Sequence, residues 1–151
     1  MHAVTLKYGY QDHTVNPVAL LYPGRAIDAL SAPPREGFFV SDYVDGPTLL
    51  ERIKHLDDAH KQLIFFGIRD ALDSVRQDTL KGYYLMDFAP RDIVLRDEFR
   101  PVLVDTEHLE FSAFYDSEKL LKRQTAEFNR EYRSFLSKVE LEKYRRIIFG
   151  R

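Results

Sequence analysis

Asp87 and Asp105 each stand at the edge of a short apolar run, and no other feature restricts so tightly what this chain can fold into. The first run is Tyr83-Tyr84-Leu85-Met86-Asp87-Phe88-Ala89-Pro90-Arg91-Asp92-Ile93-Val94-Leu95, and the second is Pro101-Val102-Leu103-Val104-Asp105-Thr106-Glu107. A carboxylate drawn into apolar surroundings is costly unless it is paired or bound to a cation. A metal site meets that demand. Aspartates that cap turns by accepting hydrogen bonds from backbone N–H groups meet it too.

Composition narrows the classes of function. The chain has 151 residues, which points to one domain with room for a real core. Its 22 Lys and Arg against 24 Asp and Glu give a net charge of −2, so no basic stripe argues for nucleic acid. With no cysteine, disulfides, thiolate zinc sites and cysteine nucleophiles are excluded, and a reducing, cytoplasmic compartment is expected. Met1, His2, Ala3 and Val4 lack the pattern of a secretory signal, and no apolar run approaches the roughly 18 residues that span a bilayer. His2, His13, His55, His60 and His108 form no ligand spacing, and Ser41, Ser74 and Ser112 lack a nucleophile-elbow context.

The clearest element is a helix from Asp57 to Asp78, where Ile64, Ile68, Ala71, Leu72 and Val75 fall on one face. Strands are expected over Ala3–Tyr10, Phe38–Val44, Tyr83–Met86, Asp92–Leu95 and Arg100–Val104, with a short helix after Pro47. Beyond Tyr115 the sequence predicts a helix running from Lys119 to Arg146, with Leu121, Phe128, Tyr132, Phe135 and Val139 on its apolar face. Its mixed charges suit solvent, and its apolar stripe would also suit a homo-oligomer.

The order of these residues resembles the catalytic and metal-binding loops of the protein kinase-like superfamily, H-R-D-x-x-x-x-N-I-L-L, a short hairpin, then D-F-G or D-x-E. Asp87 matches the catalytic Asp, Asp92 stands at the Asn position, and Asp105 matches the metal-binding Asp with Thr106-Glu107 after it. The wording Asp-Phe-Ala-Pro-Arg-Asp is similar to the aminoglycoside phosphotransferase and lipopolysaccharide-kinase branches. Phe38 to Tyr43, followed by Val44-Asp45-Gly46-Pro47-Thr48-Leu49, resembles the hinge that receives adenine. The resemblance covers Gly37 to Leu109.

What the resemblance implies is an α+β, minimal kinase-like fold, mainly a helical C-lobe with short β-hairpins. One domain over 1–151 would comprise an N-lobe remnant (1–37), a hinge-like strand (38–46) and the C-lobe (47–151). It implies an ATP- and Mg²⁺-dependent phosphotransferase acting on a hydroxyl of a small molecule or protein. Asp87 would take the acceptor proton, Asp92, Asp105 and Glu107 would hold Mg²⁺, and Asp42 and Tyr43 would border the nucleotide. Lys7 would steady the phosphates, with Asp28 on an Arg25–Leu30 helix as its acidic partner, and Arg91 would reach a phosphate.

Departures from the pattern define the alternatives. Leu85 and Met86 stand where the family has His and Arg, Asp92 adds a negative charge, and no G-x-G-x-x-G or Walker loop is present. These changes suit a degenerate pseudokinase that binds a nucleotide or a partner without chemistry. An unrelated α+β interaction domain, in which the carboxylates only cap turns, is a third reading.

Overall fold

A computed structural model describes residues 2–5, 17–22, 38–41, 43–78, 83–104, 109–111 and 117–150. Strands β1 (His2–Thr5), β2 (Pro17–Tyr22) and β3 (Phe38–Ser41) form one antiparallel sheet in the order β1-β2-β3. A register shift between Pro17 and Ala19 interrupts the β2–β3 pairing, next to a proline that cannot donate to a ladder. The remaining elements are helical, with two small hairpin-like pairs among them, so the chain is α+β as expected.

Helix α1 (Leu49–Arg52) is a single turn closed by a capping box, in which Thr48 Oγ1 accepts from the Glu51 amide and Glu51 accepts from the Thr48 amide. Helix α2 (Asp58–Asp78) follows. Its buried face carries Ile64, Phe65, Ile68, Ala71 and Leu72, the helical period read from the sequence with Phe65 added. Strand β4 (Tyr83–Leu85) leads through a 3₁₀ turn (Pro90–Asp92) into β5 (Ile93–Arg96), which pairs with β6 (Arg100–Leu103). Gly67 lets β6 approach α2 closely, because a Cβ there would stand 2.6 Å from Pro101 Cγ. Strand β7 (Leu109–Phe111) returns to pair with β4, with Leu85 opposite Leu109.

The C-terminal region differs from the expectation of one long helix. Helix α3 (Ser117–Tyr132) ends in turns over Arg133–Phe135, and α4 (Lys138–Phe149) starts afresh at Ser137, whose hydroxyl accepts from the Glu140 amide. The break resets the helical phase, so Val139 is 79% exposed rather than on the apolar face, and Leu121 is only half-buried. The buried series on α3 is Leu120, Gln124, Phe128 and Tyr132. Gly150 ends α4 in the left-handed conformation, φ 69°, with its amide bonded to Arg146 O. β2 and β7 are strands that the sequence reading did not anticipate.

Ion pairs join the start of α2 to α4. Asp58 accepts from Lys143 Nζ (2.6 and 2.7 Å) and the Tyr144 hydroxyl (2.8 Å), and Lys61 Nζ lies 2.7 Å from Glu140 Oε1. Lys143, and then Tyr144 and Gln62, hold the Asp58 carboxyl down to about 2, while Lys61 and the Ser137 amide do the same for Glu140. Both folded values lie below the ordinary 3.8 and 4.5, so the stabilisation is complete above those values and lost as pH falls toward 2. Thermal midpoints should therefore drop between about pH 5 and 2, and the double variant Asp58→Asn/Glu140→Gln should flatten that slope. An unchanged slope in the variant would mean that these pairs do not couple α2 to α4. Among the described residues, no helix is long and apolar enough to cross a membrane.

Candidate functional site

The loop from Leu85 to Asp92 is positioned by backbone contacts on both sides. Leu85 ends β4 fully buried, Met86 and Asp87 are half-buried, and Phe88, Ala89 and Pro90 turn into the core. Pro90 opens the 3₁₀ turn as a first-turn proline should, and the Asp92 amide bonds back to Ala89 O at 2.9 Å. At the far side of the hairpin the Val104 amide donates to Asp92 O at 3.0 Å. Asp92 and the residue before Asp105 are thus tied by one backbone hydrogen bond.

Two buried side chains of α3 hold the loop from beneath. Gln124 Nε2 donates to Leu85 O at 2.7 Å, and the Tyr132 hydroxyl donates to Phe88 O at 3.0 Å. These carbonyls flank Asp87, two residues before it and one after. Burial, with smaller contributions from the Glu131 and Asp92 carboxylates, pushes the Tyr132 phenol well above its ordinary range. The hydroxyl therefore stays protonated and keeps donating. Removing either donor would leave a buried carbonyl unsatisfied, at a cost of about 1–3 kcal/mol. Both residues escaped the sequence reading as parts of the site, because the carbonyl each one binds lies 39 and 44 residues away on another element.

The segment after the hinge-like strand is fastened to the same hairpin. Pro47 O accepts from the Leu95 amide at 2.8 Å, and Thr48 forms a bridge with Val94. Val44 packs with Val94 and Val102, with Val104 against them. Gly46, at φ 144°, permits this approach, because a Cβ there would lie 2.3 Å from Leu95 O. Val44 turns inward while its neighbour Tyr43 is 88% exposed.

Among the sequence-derived candidates, Asp87, Arg91 and Asp92 share this loop. The Asp92 side chain is 19% exposed, and Arg91 Nε stands 3.4 Å from its carboxylate. Arg91 Nη1 is 3.6 Å from Glu131 on α3, which also pairs with Arg130 at 2.9 Å. Arg91 thereby spans the loop and α3 at the exposed edge of the site. Lys7, Asp42, Asp105 and Glu107 lie outside the described residues, as do His108 and the Arg25–Leu30 segment. The described residues alone contain no group of three or more His, Asp or Glu suited to a metal ion. Asp87 and Asp92 offer oxygen donors only, the donor type that suits a hard cation such as Mg²⁺. No family model and no curated protein matches the chain.

Proposed function

We propose that this chain is a phosphotransferase of the protein kinase-like kind, using ATP and Mg²⁺ to phosphorylate a hydroxyl of a small molecule or protein. The observation that carries the reading is the bracketed loop: Asp87 between two carbonyls held from α3, and Asp92 tied by its own carbonyl to Val104. A loop fixed on both flanks loses little freedom when a substrate arrives, and transfer of this type depends on positioning and electrostatics. Asp87 would orient the acceptor hydroxyl and take its proton. Asp92, with Asp105 and Glu107 beyond the hairpin, would hold the metal ion, and Lys7, Asp42, Tyr43 and Arg91 would serve the nucleotide. When bound, Mg²⁺ supplies neutralisation of phosphate charge.

A second reading, a degenerate pseudokinase that binds without chemistry, draws on Leu85. It stands 1% exposed at the position of the family His, so no polar group orients the loop from there. One experiment tests both readings at the level of binding. Thermal unfolding with ATP and Mg²⁺ or Mn²⁺ should raise the midpoint by about 5 °C or more near 100 Kd, and Asp105→Ala should abolish the rise. No rise at millimolar ligand would remove nucleotide-dependent function and leave an interaction domain.

A further inference from the structure

A cleft of about 440 Å³ opens between the second half of α2, β4, the start of α3 and the end of α4. Its floor is apolar, with Leu72, Tyr84, Leu121 and Ile148, and its rim carries Arg69, Arg76 and Arg146. Asp73 is its one acidic lining residue. The volume falls within the roughly 300–1,000 Å³ typical of small-molecule sites. Arg69 directs Nε and Nη2 to Asp70, Arg76 directs Nη2 to Asp73, and Arg146 directs Nε to Glu142. A guanidinium has about five N–H donors. These bonds therefore hold the three side chains in place without using up what they can offer an anion.

We propose that this cleft binds a small organic anion with an apolar body, such as an aryl or acyl group ending in a carboxylate, sulfonate or phosphate. Inorganic phosphate alone would leave the floor wet, and a neutral hydrophobe would leave the guanidinium groups unmatched. A second observation ties the cleft to the loop before Asp87. Gln124, buried at 4% exposure, borders the cleft and donates to Leu85 O. An occupant packed against Gln124 restrains its rotamers and tightens the backbone two residues before Asp87. That coupling regulates phosphoryl transfer only on the reading given above, whereas occupancy of the cleft does not depend on it.

The test uses the full chain and two fluorescent probes of the same shape, anionic 8-anilino-1-naphthalenesulfonate and uncharged N-phenyl-1-naphthylamine. The anion should bind saturably with one equivalent, and Arg69→Ala/Arg146→Ala should weaken it by about tenfold while leaving the neutral probe within about twofold. Leu121→Trp, which fills the floor, should remove both probes with the unfolding midpoint retained. Bound anion should slow amide exchange from Leu85 to Ala89, and Gln124→Leu should abolish that slowing with the probe still bound. Non-saturable binding, equal loss of both probes in the arginine variant, or binding indifferent to Leu121→Trp would overturn the site. Saturable binding with unchanged exchange at Leu85–Ala89 would overturn the coupling. None of these readouts involves nucleotide, so failure of the phosphotransferase reading leaves them standing.

Discussion

Truncating Phe65 to alanine will destabilise the protein by about 3–5 kcal/mol, a large part of the roughly 5–15 kcal/mol that holds a domain of this size folded. Phe65 is fully buried on α2 and is the ring on which both C-terminal helices converge. It stacks on Tyr144 of α4 at 4.3 Å and meets Phe128 and Tyr132 of α3 edge-on at 6.0 and 5.6 Å. Removing it loses the transfer energy of the ring and opens a void that three helices would have to collapse to fill. Urea unfolding followed by circular dichroism reads the change as a lower midpoint at an unchanged slope. A loss under 1 kcal/mol would mean that the helices find another packing, and that Phe65 is not the centre of the core. Tyr132 packs against this ring and bonds to Phe88 O, so damage at Phe65 should also loosen the Asp87 loop.

The parts of this fold that were legible in the sequence are those whose signal is local. Ile64, Ile68, Ala71 and Leu72 repeat with the helical period, and α2 runs where that period runs. Strands β5 and β6 were readable because Ile93-Val94-Leu95 and Val102-Leu103 are β-branched and apolar runs separated by a polar turn, Asp97-Glu98, which takes positive φ. β7 was not readable, since three residues become a strand only by pairing with β4 some two dozen positions upstream. β2 begins at a proline, a residue usually taken as a strand breaker. The end of α3 did have a local sign, the Ser137-x-x-Glu140 capping box, but a continuous charge pattern through it suggested one helix. For the candidate site, Asp87 was marked by its apolar flank and Asp92 by its place in the kinase-like pattern. Gln124 and Tyr132 were not, because what makes them part of the site is a carbonyl on another element 39 and 44 residues away.

On the phosphotransferase reading, Asp87→Asn will lower phosphoryl transfer by about 10²–10⁴-fold while leaving the fold and any nucleotide-dependent rise in unfolding midpoint in place. The reason is chemical and local. Asparagine has the size of aspartate and keeps an acceptor oxygen, and the bonds of Gln124 and Tyr132 to the loop carbonyls do not involve the Asp87 side chain. What the amide cannot do is take the proton that leaves the acceptor hydroxyl as its oxygen attacks phosphorus. Orientation survives and proton acceptance does not, so the loss should fall on kcat, with KM for ATP changed little. ATP turnover measured against a panel of hydroxyl-bearing small molecules, with transfer to water as the baseline, supplies the rates. Asp92→Asn introduces the residue of the kinase-like pattern and keeps one oxygen donor, so on the same reading it should weaken metal dependence far less than Asp105→Ala does. A rate unchanged in Asp87→Asn would take the proton from Asp87, and the transfer would then rest on metal and positioning alone. Wild-type protein that binds nucleotide but turns nothing over, with Asp87→Asn binding equally well, is the outcome a pseudokinase gives. Binding without turnover would assign the Leu85 site a cost in chemistry that the bracketed loop does not offset.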